Sequence, residues 1–254
     1  MSTGPETGDW IELTCDGNRR AQTDVLAETG KIVKPAELDE ELAYACYKMG
    51  GDASKKIVEA ARDNMVGLLA LWVWSTKNWD RPEAQQKAVF QVTHEFLNDL
   101  ETNWIDLPEN EDVRLVHMGR EERLHREAPD MMAVFDRITE YTKHRKGMVV
   151  SLLMDHSGPD EEARARHLWK FGGGTLGFED HLDLPRLGVP YKHLDLRIRT
   201  GETDRIKHTN AVMSGYTGME TRDVFHDVLL PDFTPELFLK DLADYRKSDK
   251  RNGK

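Results

Sequence analysis

Three short segments gather side chains able to handle a phosphate ester. Asp16-Gly17-Asn18-Arg19-Arg20 sets a carboxylate, a glycine and two guanidinium groups within five positions. A carboxylate there can hold a hard cation such as magnesium through oxygen. Gly17 lets the backbone turn closely, and the N–H groups that follow can open a helix and point at a phosphate. Trp74-Ser75-Thr76-Lys77-Asn78-Trp79-Asp80-Arg81-Pro82 mixes hydroxyl, amide, indole and guanidinium groups, a set suited to a polar head with an apolar tail beside it. Residues 197–207 (RIRTGETDRIK) place Arg199 and Arg205 on either side of a glycine-containing turn. Arginine meets phosphate oxygens with two donors at once and stays charged. Each segment alone also has a plainer reading: a D-G turn with solvated arginines, a helix cap beside aromatic core residues, a solvated loop. Jointly they point to a diphosphate site with a metal. There is no GxxxxGK[ST] loop for a nucleoside triphosphate, and no HExxH or paired Cys-x-x-Cys for zinc.

The positioning elements follow from periodicity. Strands are expected at 10–15, 66–74, 113–118, 148–154 and 195–199. Helical periodicity covers 38–64 with a break at Gly50-Gly51, then Pro82 to about Ile105, 121–143, 160–171 and 235–247. The Gly-rich stretch 172–190 reads as a loop. Strands alternating with helices, several of them apolar throughout, indicate an α/β fold with a mostly parallel central sheet covered by helices on both faces. In such sheets ligands sit beyond the carboxyl ends of the strands, where all three segments fall. One domain over 1–254 is expected, with 1–8 and 248–254 frayed.

Composition narrows the partners. The net charge is −11, from 46 acidic and 35 basic side chains, which argues against nonspecific nucleic-acid binding. No apolar run reaches the length of a membrane span, and the first residues lack a basic segment followed by an apolar one. Cys15 and Cys46 form no framework, so two thiols in a reducing cytoplasm are expected.

With these segments in view, the sequence resembles the cis-prenyltransferase family, which includes undecaprenyl diphosphate synthase. CDGNRRA at 15–21 is similar to MDGNxRWA, WSTKNWDRP at 74–82 to FSxENWxRP, and DLRIRTGETDRI at 195–206 to DLxIRTGGExRI. LLPDF at 229–233 resembles LWPDF, and Arg251-Asn252-Gly253 the C-terminal R-x-G element. The resemblance implies that Asp16 holds Mg2+ and that Gly17, Asn18, Arg19 and Arg20 cradle an allylic diphosphate. It implies that Ser75, Asn78 and Arg81 orient the reactants, while Trp74 and Trp79 shape the prenyl pocket. Arg199 and Arg205 would bind the second diphosphate, completed by Arg251 and Gly253 across a homodimer interface. The implied chemistry is ionisation of an allylic diphosphate followed by attack of a double bond.

Several positions depart from the family pattern. Ala21 replaces a tryptophan, Tyr47 a histidine and Lys77 a glutamate, and DHSGP at 155–159 stands where the family has NYGGR. Thr203 occupies a glutamate slot, Lys207-His208-Thr209 replaces S-N-F, and a later metal-joining glutamate falls near Arg222 or Asp223. These changes gather on the acceptor side, where Lys207 can substitute a fixed cation for metal charge. The pattern resembles the irregular lavandulyl and isosesquilavandulyl diphosphate synthase branch. That branch couples an allylic diphosphate, dimethylallyl or geranyl, to dimethylallyl diphosphate head-to-middle. A regular head-to-tail enzyme using isopentenyl diphosphate and a non-catalytic partner subunit are the alternatives. Trp72, Met65 and Phe90 are candidates for shortening the prenyl tunnel.

Overall fold

The computed structural model of the chain describes residues 8–28, 33–172, 174–201 and 212–248. The order is β1 (Trp10–Thr14), α1 (Asn18–Glu28), α2 (Glu40–Asp63), β2 (Leu68–Ser75), α3 (Glu83–Asp99), β3 (Arg114–Met118), α4 (Glu121–Glu127) and α5 (Pro129–Thr142). Then follow β4 (Val149–His156), α6 (Gly158–Phe171), the short α7 (Asp183–Arg186), β5 (Leu196–Arg199), β6 (Arg222–Phe225) and α8 (Pro235–Lys247).

Among the described residues, six strands form one sheet in the order β3-β4-β2-β1-β5-β6. Every pairing is parallel, with Ile11 opposite both Leu69 and Leu196. Alternate residues face opposite sides of a strand, and in β1, β2, β3 and β4 both sides are largely buried. Ile11, Leu13, Leu69, Leu71, Leu152 and Met154 join α2, α3, α5 and α8 in one core. Trp10, Leu68, Ala70, Val116, Val149 and Leu153 join Ala165 of α6 with Leu182, Leu184, Leu194, Met213 and Tyr216 in the other.

Where expectation and structure differ, the causes are local. The helix over 38–64 is not broken at Gly50-Gly51: α2 runs through, capped by the Asp39 carboxylate accepting from Leu42 N–H at 2.9 Å. Its buried stripe, with Cys46, Tyr47, Ile57, Val58 and Ala61, packs against the sheet and α3, which outweighs poor glycine propensity. The expected helix over 121–143 is two helices. Pro129 lacks an N–H and disfavours a helical residue before it, so Ala128 sits at φ −140, ψ 57. The helix from Pro82 changes its winding at its end, passing into a π turn at Leu100–Trp104. Three elements were not anticipated as such: α1, whose sequence is polar, the short α7 inside the stretch 172–190 expected as a loop, and β6, an edge strand with exposed residues and no apolar run.

Candidate active site

The loop after β1 is fixed by its neighbours before any ligand is considered. Asp16 N–H donates to Thr200 Oγ1 at 3.0 Å, and Thr200 Oγ1 donates to the Asp16 carbonyl at 2.8 Å. Leu230 N–H donates to the same carbonyl at 3.0 Å. Gly17 has φ +108, and a Cβ there would lie 2.8 Å from Leu229 Cδ2. The left-handed conformation and the close approach both require glycine. The chain then enters α1 at Asn18, so the start of this helix borders the same space as Asp16.

That space is a cleft of about 460 Å³ at the carboxyl ends of the central strands, and its walls include Asp16, Asn18, Ser75 and Asn78. Arg19, Arg20, Arg81 and Arg199 also line it, so four guanidinium groups meet one carboxylate in a chain that is acidic overall. Arg199 Nη2 donates to Asp16 Oδ2 at 3.2 Å, and Arg20 Nη2 lies 3.5 Å from Asp16 Oδ1. Arg199 Nε is buried with no partner among the described residues. Arg19 is steered by Gln85, whose Oε1 accepts from it at 3.2 Å. Arg81 donates to the Tyr47 hydroxyl at 3.0 Å and lies over the Trp74 ring at 5.2 Å. Burial holds the Arg81 guanidinium below its ordinary value, and neighbouring Arg19 adds to this.

A second, apolar cavity of about 60 Å³ adjoins the cleft, and Cys15, Asn18, Tyr47 and Val73 belong to both. Its other walls include Gly50 and Gly51 of α2, Val92, Thr93 and Phe96 of α3, and Leu71 and Leu152 of the sheet. Burial pushes the Cys15 thiol up to about 12, so it stays protonated and serves as neutral wall. The arrangement therefore offers a cationic seat for a polyanion beside a small apolar hole.

The structure brings together Asp16, Gly17, Asn18, Arg19, Arg20, Ser75, Asn78, Arg81 and Arg199. It keeps Trp74 and Trp79 out of the walls of both cavities. Trp74 is fully buried and packs edge-on against Trp79 at 5.9 Å and beside Phe90 at 5.3 Å. Phe90 belongs to that aromatic cluster, Trp72 lines the polar cleft, and Met65 is 61% exposed, so none of the three walls the apolar cavity. Arg205, Lys207, Arg251 and Gly253 lie outside the described residues. Tyr47, Gly50, Gly51, Thr93 and Phe96 were not singled out as site residues from the sequence; the available signals were Tyr47 in the place of the family's histidine and the adjacent glycines inside a helical pattern.

Another cluster could hold a metal by residue type: His156, Glu161 and Asp183 bring ligand atoms within 4.8 Å of one another. Most of its atoms are already engaged, while Glu161 Oε2 and His156 Nδ1 are buried without a hydrogen-bond partner among the described residues. Arg164 donates to both Asp183 oxygens at 3.0 Å. Glu161 Oε1 accepts from Asp183 N–H at 2.8 Å and from the Tyr216 hydroxyl at 3.0 Å. His156 Nε2 is 2.9 Å from the Val212 carbonyl, which can only accept, so that nitrogen carries the proton. Burial raises Glu161 to about 8 and lowers His156 to about 4, leaving both neutral near pH 7. A nitrogen in the donor set also departs from the all-oxygen shell magnesium takes. Asp16, an oxygen donor open to the cleft, is the better match for that ion.

The chain is similar to known proteins in sequence and in fold. A family model described as "Putative undecaprenyl diphosphate synthase" matches residues 35–253. The chain is 28% identical over 249 residues to an isoprenyl transferase of Aquifex aeolicus (strain VF5), covering 96% of this chain and 95% of that protein. Lavandulyl diphosphate synthase from Lavandula x intermedia, solved in complex with dimethylallyl diphosphate, matches with a TM-score of 0.74 at 20% identity, over 96% of this chain and 97% of that one. A probable undecaprenyl diphosphate synthase from Campylobacter jejuni matches with a TM-score of 0.66 at 22% identity, over 97% and 99%. Both structural likenesses are of fold.

Proposed function

The chain belongs to the undecaprenyl diphosphate synthase family of prenyltransferases, and on that premise we propose a short-chain, head-to-middle prenyl-diphosphate transferase. Its donor is dimethylallyl or geranyl diphosphate, its acceptor dimethylallyl diphosphate, and its product a branched lavandulyl-type diphosphate. The observation that carries the reading is the junction at Asn18 and Tyr47 between a cleft of four guanidinium groups and a small apolar cavity. A diphosphate fits the first, and a short prenyl tail fits the second.

The donor diphosphate lies among Arg19, Arg20, Arg81 and Arg199. When bound at Asp16, Mg2+ supplies charge neutralisation of the leaving group. The C1–O bond breaks and its electron pair departs with the diphosphate, whose growing charge the guanidinium groups stabilise. Cys15, Val73, Val89 and Val92 keep water from the allylic cation. The acceptor's C2 supplies the electron pair for the new bond to donor C1. The tertiary cation left at C3 loses a methyl proton to an oxygen of the diphosphate released from the donor, which gives the isopropenyl branch and discharges the cation. Ser75 at the end of β2 and Asn78 in the turn that follows orient the reacting groups.

On the acceptor side, Arg197 donates to both Asp223 oxygens, at 2.6 and 2.9 Å. The carboxylate nearest the family's later metal ligand is therefore engaged, and Asp16 is the one carboxylate among the described residues lining the cleft. This favours Arg205 and Lys207 as fixed cations for the second diphosphate, with Arg251 and Gly253 closing it in a cytoplasmic homodimer. A regular condensation with isopentenyl diphosphate is the second reading, favoured by relatives that carry the name isoprenyl transferase. The test is incubation of the purified chain with Mg2+ and dimethylallyl, geranyl and isopentenyl diphosphates, with product identification by mass spectrometry after dephosphorylation. A branched product from dimethylallyl diphosphate alone is expected, and Asp16→Ala should abolish it. A linear product formed only with isopentenyl diphosphate overturns the head-to-middle assignment.

A further inference from the structure

Asp155, near the end of β4, lines neither cavity, yet the structure invests heavily in it. The side chain is fully buried. Its backbone has φ 52, a left-handed conformation that a non-glycine residue keeps only when its surroundings over-determine it. Its carbonyl accepts from Arg120 N–H at 3.2 Å. Its carboxylate accepts from Arg123 twice, from Nε at 2.7 Å and again from Nη2. The same carboxylate accepts the Trp79 indole N–H at 2.8 Å, and the Arg123 guanidinium stacks over the Trp79 ring at 4.5 Å. The three side chains form a closed triangle of two charge-assisted contacts and one cation–π contact.

Trp79 is the part of this triangle that reaches the site. It sits in the 3-10 turn Thr76–Asp80, one residue after Asn78 and two before Arg81. Gln86 Nε2 donates to the carbonyls of Trp79 and Arg81, at 3.0 and 2.8 Å, binding the turn as one piece. Opposite Asp155 the pairing of β2 with β4 is irregular, with register shifts between Trp72 and Trp74 and between Trp74 and Ser75. Ladder hydrogen bonds alone therefore do not fix where the turn leaves the sheet. The indole anchor supplies that constraint from the neighbouring strand.

We propose that Asp155, acting through Trp79 and Arg123, is a positioning residue that sets Arg81 in the cleft. The inference rests on the reading of the cleft as a diphosphate site. Asp155→Asn is the informative change. Asparagine tolerates the left-handed backbone as aspartate does and keeps an oxygen for the indole, but removes the charge that holds Arg123. Trp79→Phe removes only the N–H donor and leaves the Asp155–Arg123 pair.

The experiment is a double-mutant cycle against Arg81→Gln, reading kcat and KM with dimethylallyl diphosphate and Mg2+, and affinity for inorganic pyrophosphate by calorimetry. Asp155→Asn and Trp79→Phe should each lower kcat/KM about 10- to 100-fold, as a misplacement near 1 Å does. In the Arg81→Gln background each should change it by less than about threefold, because the group they position is gone. Wild-type-like turnover of both variants overturns the proposal, and so do losses that multiply fully in the Arg81→Gln background. Should Asp155→Asn fail to fold, Trp79→Phe decides by the same two outcomes: wild-type-like turnover, or a loss undiminished beside Arg81→Gln, overturns the role. If the wild-type chain neither binds pyrophosphate nor turns over, the diphosphate reading itself falls, and the positioning role with it.

Discussion

Gly50 and Gly51 are neighbours inside α2, and the structure assigns them opposite consequences. On helix propensity alone, alanine at either position should stabilise by about 1 kcal/mol, a rise of about 2–4 °C in Tm for a chain of this size. At Gly50 an added Cβ would lie 2.1 Å from Asn18 Oδ1 and 2.6 Å from Asn18 Cγ. That is more than about 1 Å inside van der Waals contact, so the carboxamide must move. Asn18 Oδ1 is buried with no partner among the described residues, and Asn18 joins cleft to cavity. Displacing it by about 1 Å should lower kcat about 100-fold in Gly50→Ala, while the clash cancels the propensity gain. At Gly51 the nearest atom to an added Cβ is Val92 Cγ1 at 3.4 Å, an ordinary contact. Gly51→Ala should therefore show the full rise in Tm and keep most of its activity with the dimethylallyl donor. The two variants are compared by calorimetric melting and steady-state rates. Full activity together with a raised Tm in Gly50→Ala would refute the reasoning, since Asn18 would then have no fixed place to lose.

Three further outcomes follow from single groups. Tyr47→Phe removes the acceptor for Arg81 and should raise KM for the donor diphosphate about tenfold with a smaller change in kcat, checked by initial rates. Phe96→Ala opens the wall of the apolar cavity and should shift preference from dimethylallyl toward geranyl donor, checked by competition with both. Glu161 has its folded value raised to about 8 from 4.5, so the folded state keeps a proton that the unfolded chain has released. Its contribution to stability is fully present below 4.5 and declines as pH rises through about 8. Glu161→Gln should gain in Tm relative to wild type across that window, as melting curves collected over that pH range would show. His156, lowered to about 4 from 6.5, acts in the opposite sense: its contribution is lost as pH falls from 6.5 through about 4.

Much of the scaffold was legible in the chain because it depends on local pattern. Residues 68–75 and 149–156 are apolar on both faces, which only a strand covered on two sides can use. Thr234-Pro235 followed by an amphipathic run announces α8 at its observed bounds. The Asp16–Arg20 loop carries its chemistry within five residues and needs only a strand before it. Other features have no local signature. β6 presents exposed side chains, so no apolar periodicity marks it. The paired glycines of α2 read as a break until Asn18 and the apolar cavity occupy the space beside them. Trp74 and Trp79 read as pocket or as core, and only packing separated the two: Trp74 is fully buried beside Phe90, and Trp79, partly buried, donates to Asp155. Asp16 and Arg199 meet across 183 positions of chain because β1 and β5 are neighbours in the sheet. Periodicity and spacing report what a residue meets within a few turns of its own element. Which distant side chains share one cleft is fixed only when strand order closes the sheet and burial decides which atoms face each other.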